Sequence, residues 1–452
     1  MTTWLANTRD TFKTQLWPIP TIAVVAALLI GFGLPELDSA VSGHLSGRVS
    51  GVLFGGDADA ARSLLGAIAS SLITVTALTF SLTVVTLQLA SSQFSPRLLR
   101  TFTSDQFVQA TLALFLATFT YALTVLRAVR SAGDSGQAEF VPKFAVTLAF
   151  LFAVASVLGL VLFLAHLTAQ IRPETMLRNV HRDASETMRA VLPERDRADG
   201  DQPHGPRPPL DAVQLLAHDD GGFLTWIEQS DLVEVAEDED ALLSLDVYPG
   251  SFLVKGTPVG AAWPDSGGRF DKETANRVAD RVAGCLHTGF ERTASQDVGY
   301  GLRQLADVAN KALSPGINDP TTALHALGHI SAFLCDLTDH DLGAQLLRDE
   351  DDRVRVTLHC PDFAAYVDLG ISQPRRYGAA DPQVLEKIFQ VLLDLSHRAA
   401  PEQGPVVRDQ LERLRGTVEA QSFDSAERTA LAELGQRIEQ NLGGPLAGSG
   451  TS

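Results

Sequence analysis

The residues best suited to chemistry lie between positions 291 and 327, where charged side chains flank two predicted helices. Exposed amides at a helix N-terminus attract anions, and carboxylate, amide and hydroxyl oxygens bind cations. We therefore interpret this segment as a candidate ligand or coupling site. Its members are Arg292, Asp297, Arg303, Asn318, Asp319 and Thr321.

The same segment also has a purely structural explanation. A helix predicted over 296–313 ends at a Ser-Pro-Gly turn over 314–316. Asn318 or Asp319 then caps a new helix, with Pro320 at its first position. Capping alone accounts for the phrase SPGINDPTT, so the sequence leaves both interpretations open.

Motifs of the common enzyme classes are absent from the sequence, which has no HExxH, P-loop, GxSxG or DxDxDG pattern. His325 and His329 have the i, i+4 spacing of a metal-binding pair, but no acidic residue occupies the position that a metalloprotease needs. The three cysteines lack the CxxC spacing of a zinc site. We expect no enzymatic activity, no cofactor and no bound metal.

A second group of polar residues lies within an apolar segment that predicts a long helix. Hydroxyl side chains recur there at helical spacing, and hydroxyls that face lipid gain nothing. They favour a pore-lining helix, repeated around the axis of an oligomer. Alternatively, each hydroxyl bonds to the carbonyl four residues earlier and lets helices pack closely. The first row is Thr76, Thr79, Thr83 and Thr86, and the second is Ser70, Thr74, Ser81 and Gln88.

The phrase SSQFSPR follows this helix and predicts a hinge at its inner mouth. Proline does not continue an ordinary helix, and paired serines can bend one. The two arginines nearby would favour anions at a pore mouth, or act only as positively charged anchors on the inner side. The residues assigned to this mouth or hinge are Ser92, Gln93, Ser95, Pro96, Arg97 and Arg100.

Four apolar segments are long enough to cross a bilayer, which needs about 20 helical residues. Lys and Arg in the N-terminal tail, in the second loop and after the fourth span favour a cytosolic location for both termini. The third loop argues against this orientation, because it carries Arg127, Arg130 and Lys143. The predicted spans are about 18–37, 64–90, 107–129 and 144–167.

The net charge of the chain changes at the end of these spans. Residues 1–170 carry nine Lys or Arg and eight Asp or Glu, whereas the remaining residues carry 27 and 46. Such an excess of negative charge repels nucleic acid and anionic lipid head groups. We therefore exclude nucleic acid as a partner. The expected partners are the lipid bilayer, further copies of the chain and ions.

The predicted fold is an α-helical membrane domain of four transmembrane helices, followed by a mixed α+β cytosolic domain with a small β module and a helical bundle. The expected divisions are the membrane domain (1–170), a connecting helix with a Pro-rich linker (171–210), the β module (211–263), a mostly helical domain (264–442) and a disordered tail (443–452). Within the helical domain, helices are predicted over about 271–289, 296–313, 320–338, 383–399, 405–419 and 424–441, with a strand over 353–358.

Three phrases carry a resemblance to a known family. They are ITVTALTFSLTVVTLQLASSQFSPRLL (73–99), QDVGYGLRQLADVANKALSPGINDPTTA (296–323) and PRRYG (374–378). The chain resembles, over most of its length, a bacterial family of predicted membrane proteins known as the domain of unknown function numbered twenty-two fifty-four. The resemblance implies a multi-span membrane protein with a cytosolic C-terminal region, and it implies no reaction.

The sequence as a whole predicts a homo-oligomeric channel or transport-like pore in the bacterial inner membrane. The Ser/Thr-rich second helix would line the pathway, and the cytosolic domain would gate it. One alternative is a non-conducting sensor or scaffold that recruits a protein partner. Another is a membrane-bound enzyme that acts on a lipid or a nucleotide. A polar, water-filled axis in the oligomer would favour the pore.

The even number of spans predicts that a cysteine tag placed after Gly448 stays on the cytosolic side. A membrane-impermeant thiol reagent added to intact cells should therefore not label that tag. A tag between Gly55 and Gly56, in the predicted outer loop, should be labelled and serves as the control. Efficient labelling after Gly448 would contradict the four-span arrangement.

Overall fold

A computed structural model describes residues 17–41, 53–93, 105–131, 139–170, 172–195, 205–218 and 221–443. The chain divides into two compact units, Met1–Arg172 and Pro173–Ser452, which we call the membrane unit and the C-terminal unit. The disordered tail predicted over 443–452 lies, apart from Gly443, outside the described residues.

Four long apolar helices make up most of the described part of the membrane unit. Each has the length and the hydropathy of a membrane span, so the four predicted spans are confirmed. The second helix is longer than predicted, because it begins at Ala58 and continues to Gln93 through the paired serines. The helices are α1 (Pro18–Val41), α2 (Ala58–Gln93), α3 (Gln106–Ala128) and α4 (Lys143–Gln170).

The third helix is the central one of this unit, since α3 packs against α1, α2 and α4. The Tyr121 hydroxyl of α3 donates a hydrogen bond of 3.0 Å to the Ala145 carbonyl oxygen of α4. The hydroxyls of Thr118 and Ser156 lie 3.2 Å apart across the same pair of helices. Buried polar groups need such partners, because hydrocarbon supplies none.

The described part of the C-terminal unit contains two β-sheets, whose strands lie between residues 213 and 359. The five-stranded sheet has the order β1-β5-β3-β8-β7, and the three-stranded sheet has the order β4-β2-β6. All the pairings are antiparallel except that of β3 with β8. The strands are β1 (Val213–Leu216), β2 (Gly222–Ile227), β3 (Ala241–Leu245), β4 (Phe252–Leu253), β5 (Pro258–Pro264), β6 (Leu286–Gly289), β7 (Ala344–Arg348) and β8 (Val354–His359).

The predicted β module does not close within 211–263. Five strands form there as expected, but β6 completes one sheet from beyond this range, and β8 and β7 extend the other. The side chains of Leu243, Leu245, Val356 and Leu358 are at most 1% exposed, so the central strands form one continuous core. The predicted helix over 271–289 is correspondingly shorter, because its last four residues form strand β6.

Nine helices complete the described part of the C-terminal unit. Several begin at an aspartate whose side chain accepts a hydrogen bond from an amide of the first turn, as at Asp271, Asp319, Asp362 and Asp381. The helices are α5 (Pro173–Val191), α6 (Gln229–Asp238), α7 (Lys272–Gly284), α8 (Val298–Ala312), α9 (Pro320–Leu337), α10 (Phe363–Tyr377), α11 (Pro382–Arg398), α12 (Gly404–Glu419) and α13 (Ser425–Gly443).

Helix α5 directly follows the fourth span in sequence and packs against α8 and α9. The contact with α8 depends on Gly301, because a Cβ at this position would lie 2.3 Å from the Cβ of Ala184. That distance is far below van der Waals contact, so glycine is needed for this close approach. The methionine and leucine side chains of α5 beside it, Met176, Leu177 and Met188, are buried in the same unit.

We expect Gly301→Ala to lower the free energy of unfolding by about 1–3 kcal/mol, because the added methyl forces α5 and α8 apart. The matched control is Gly416→Ala in α12, where a Cβ meets no atom within 4 Å. That control should be neutral or slightly stabilising, since alanine favours helix. Thermal unfolding of the purified full-length protein in detergent measures both. Equal midpoints for the two variants would contradict the close packing of α5 on α8.

Candidate functional site in the second span and in the C-terminal unit

The two polar rows of α2 lie on opposite sides of the helix. The first row faces the interior of the folded chain: Thr79 is fully buried, Thr83 and Thr86 are each 6% exposed, and Thr76 is half-buried. These threonines were predicted to line a water-filled path. That assignment stays a prediction, and this packing within a single chain does not favour it.

Most hydroxyls of the first row bond to their own helix. Thr76, Thr83 and Thr86 each donate to the carbonyl oxygen four residues earlier, at 2.7 to 2.9 Å. This is the alternative that the sequence left open, in which threonines satisfy themselves and allow close packing. Thr79 differs, because its buried hydroxyl has no hydrogen-bond partner.

The second row lies on the surface of the membrane unit. It is part of a longer row of mostly small residues that alternate at spacings of four and three along α2. Every member of this longer row is exposed, and we call it the small-residue face. Its members are Ser63, Ala67, Ser70, Thr74, Ala77, Ser81, Val84 and Gln88.

Only part of the predicted inner mouth belongs to the described residues. Ser92 and Gln93 are the last residues of α2. Ser95, Pro96, Arg97 and Arg100 lie outside the described residues, so their predicted role as a hinge or an anion-attracting mouth stays a prediction.

The C-terminal unit brings three of the predicted site residues together. Arg292, Asp297 and Arg303 line one cavity of about 240 Å³. Arg292 donates two hydrogen bonds to Oδ2 of Asp297, at 2.8 and 2.6 Å. Asp297 is the residue that precedes α8, and the backbone amides of Gly299 and Tyr300, in the first turn of that helix, lie beside its carboxyl and act to lower its pKa. By strict hydrogen-bond geometry α8 has no side-chain cap, and the same is true of α6 and α12.

Burial dominates the electrostatics of this carboxylate. The side chain of Asp297 is 4% exposed, and desolvation raises the pKa of its carboxyl above the ordinary value, although the Arg292 guanidinium acts in the opposite direction. A buried pair of this kind contributes little net stability, but removing one partner costs about 3–5 kcal/mol. A substitution of Asp297 therefore tests folding before it tests binding.

Sequence reasoning missed most of the apolar and aromatic walls of the cavity. Tyr248 and Tyr366 line it, and Tyr366 is 4% exposed. Gly250 has a φ of +98°, and a Cβ there would lie 2.3 Å from Oδ2 of Asp297, so the turn needs glycine. The Cys360 thiol also lines the cavity, and burial raises its pKa to about 11, which keeps it a weak nucleophile. No local motif marks Tyr366 as a site residue.

The other three predicted site residues lie elsewhere and form the turn between α8 and α9. The Asp319 carboxylate accepts a hydrogen bond of 3.1 Å from the Thr322 amide, and Pro320 is the first residue of α9. Asn318 has a φ of +50°, and its backbone N–H donates a hydrogen bond to the Ser314 carbonyl oxygen. Thr321 is exposed. The capping interpretation accounts for this turn, and these residues do not line the cavity.

A metal centre is not evident in the part of the chain that the structure describes, where no three His, Cys, Asp or Glu side chains could together hold an ion. The predicted pair of His325 and His329 lies on α9, and His181 of α5 lies beside His329 with ring centroids 5.2 Å apart and ring planes tilted by 50°. Burial lowers the pKa of His329, which favours its neutral form.

The fold defines an integral membrane protein with four spans and a mixed α/β C-terminal unit. Residues 13–394 match the family model of DUF2254, described as a predicted membrane protein, and the chain belongs to this family. Similar proteins include uncharacterized proteins of Mycobacterium tuberculosis (Rv1290c) and Mycobacterium bovis (Mb1321c). Each is 33% identical over 420 residues, which cover 93% of this chain and 79% of the relative. No solved structure matches the chain.

We expect Asp319→Ala to lower the free energy of unfolding by about 1 kcal/mol, because it removes one helix cap. The protein should stay folded, since the turn keeps its backbone hydrogen bonds. Thr321→Ala is the matched control, because this exposed side chain lies in the same turn. Thermal unfolding midpoints measure the difference. Gross unfolding of Asp319→Ala, or a midpoint equal to that of the control, would contradict a capping role of this size.

Proposed function

We propose that the protein forms a homo-oligomeric pore for small ions in the bacterial inner membrane, with the small-residue face of α2 along the pathway. Both termini and the C-terminal unit would lie in the cytosol, where this unit would gate the pore. The observation that carries the proposal is the exposure of this face on a membrane-spanning helix.

The spacing of the small-residue face supports contact with a second copy of α2. Alternating steps of four and three average 3.5 residues, the period at which neighbouring helices pack with a left-handed supercoil. Small residues let helix backbones approach closely within a membrane. The exposed surface of α4, by contrast, carries large apolar residues that suit lipid, including Phe150, Leu151, Leu158 and Leu162.

The polarity of the same face supports a wet pathway rather than lipid contact. The side chain of Gln88 is exposed on this span, and a side-chain amide that faces hydrocarbon loses the hydrogen bonds that water or protein would supply. Ser81 and Thr74 extend the polar line towards the middle of α2. A ring of such residues around an axis would line a narrow path with hydroxyl dipoles.

A non-conducting scaffold is the second candidate, and one observation favours it. The Thr74 hydroxyl donates to the Ser70 carbonyl oxygen at 3.1 Å, and the Ser70 hydroxyl donates to the Ala67 carbonyl oxygen at 3.2 Å. Hydroxyls satisfied in this way also suit a dry contact between helices. The two candidates therefore differ in whether water fills the axis of the oligomer.

A matched pair of Thr→Val substitutions tests the pore. Thr74→Val makes the proposed wall apolar without changing its shape, so ion flux into liposomes should fall while the oligomer stays assembled. Thr79→Val removes a buried hydroxyl that has no partner. It should leave flux unchanged and raise stability by about 1 kcal/mol. Equal flux for the Thr74→Val variant and the unmodified protein would favour the dry scaffold.

A charged substitution on the small-residue face is a stricter test of the pore. Ser81→Glu should change the preference between cations and anions, because a ring of carboxylates acts on every ion that passes. The size of the purified oligomer is measured on the same sample. An assembled Ser81→Glu oligomer whose flux and selectivity are unchanged would rule out this face as the pore wall.

A further inference from the structure

Two histidines from different helices face each other in the C-terminal unit. His181 lies in the middle of α5 and His329 in the middle of α9, and their ring centroids are 5.2 Å apart. Both side chains are half-buried, and the Phe333 ring lies edge-on to His181 at 6.5 Å. The contact between α5 and α9 therefore includes two imidazoles, the side chains that most readily gain a positive charge between pH 8 and pH 5.

The hydrogen bonding of His181 suits its neutral form. Nδ1 of this ring is buried and has no hydrogen-bond partner. A neutral imidazole can leave Nδ1 without a hydrogen, whereas a protonated imidazole carries an N–H on both nitrogens. Protonation of His181 would therefore leave a buried N–H without an acceptor, in addition to placing a charge in a partly buried position.

The surroundings of His329 also disfavour a positive charge. Burial lowers the pKa of His329, and the His181 and His325 imidazoles act in the same direction. Among the described residues, no carboxylate is one of the groups that act on this pKa. Two protonated rings at this distance would repel each other without a counter-ion between them.

The charged side chains of the surrounding helices do not change this balance. On α11, the Asp394 carboxylate accepts a hydrogen bond from the Ser331 hydroxyl, and Lys387 adds a further positive charge beside Gly328. None of the charged side chains on the packed helices is one of the groups that act on the pKa of His329. Besides Lys387 and Asp394 they include Arg178, Arg182 and Asp183 on α5, Asp336 on α9, Arg303, Asp307 and Lys311 on α8, and Asp368, Arg375 and Arg376 on α10.

We propose that the contact between α5 and α9 is a pH-sensitive switch, which acid opens by placing positive charge on His181 and His329. Helix α5 directly follows the fourth span in sequence, so the switch would act on the segment that joins the C-terminal unit to the membrane unit. It needs no bound ligand, and it does not depend on whether the membrane unit conducts ions.

The direction of the effect follows from proton binding. The separated helices bind more protons than the packed helices, because packing disfavours the protonated form of His329. The contact is therefore fully stabilising above the ordinary histidine pKa of about 6.5, and it weakens as the pH falls below this value. A carboxylate paired with a histidine would give the opposite direction.

Hydrogen–deuterium exchange of the full-length protein in detergent tests the proposal, measured by mass spectrometry at about pH 7.5 and about pH 5.5, on either side of the ordinary histidine pKa. After correction for the intrinsic exchange rate, we expect the protection of α5 to fall by about threefold to tenfold at the lower pH. Peptides from α12, which contains no histidine, should keep their protection. Equal protection of α5 at the two pH values would overturn the proposal.

A matched pair of variants assigns the effect to this pair of histidines. His181→Phe keeps an aromatic ring beside Phe333 but cannot be protonated, so the protection of α5 should no longer depend on pH. His218→Gln, at an exposed histidine of the same unit, should respond as the unmodified protein does. His329→Gln replaces His181→Phe if thermal unfolding shows that the latter is not folded. The same pH response in the His181 or His329 variant as in the unmodified protein would overturn the assignment.

Discussion

Hydrocarbon offers no hydrogen-bond partners, and the organisation of the membrane unit follows from this constraint. Apart from that of Thr79, hydroxyls on the inner side of α2 and on α3 donate to carbonyl oxygens of their own helices or meet another hydroxyl. Such bonds allow threonines to occupy the interior of a helical bundle. Polar residues alone therefore do not identify a pathway. The small-residue face differs because it carries polar residues and is exposed on the surface of the membrane unit.

The same constraint explains why the two sides of α2 were hard to distinguish from sequence. Thr79 and Thr74 are both threonines in one apolar segment, and both rows have helical spacing. Their difference arises from tertiary packing, because α3 covers one side of α2. Lipid, water or another copy of the chain must cover the other side. Both the proposed pore and the alternative scaffold depend on this difference in burial between the two sides of α2.

In the C-terminal unit, a cavity is assembled from segments that are far apart in sequence. The turn at Gly250, the start of α8 and the helix α10 meet at the cavity around Asp297. The parallel pairing of β3 with β8 makes this possible, because it joins the first strands of the unit to a strand more than a hundred residues later. The β strands and the helical bundle therefore pack into one compact unit, and residues of both line the cavity.

Local patterns in the sequence predicted the four spans, most helices and the capped turn at Asp319, because length, hydropathy and cap residues act over short distances. They also singled out Arg292, Asp297 and Arg303. They missed α10, whose pattern is interrupted by Pro374, and α6 within the β segments. They did not predict that Tyr366 joins the cavity, because this depends on the packing of α10 against α8.

The central claim is that the small-residue face of α2 meets the same face of another copy. Disulfide cross-linking in native membranes tests it most directly, with Thr74→Cys, Ser81→Cys and, as the buried control, Thr79→Cys. Burial raises the pKa of each native cysteine thiol to about 11, so Cys285, Cys335 and Cys360 should oxidise slowly. The account predicts covalent dimers for the cysteines at positions 74 and 81 and none for the cysteine at position 79. Absence of dimers at positions 74 and 81, or equal dimer formation at position 79, would contradict it.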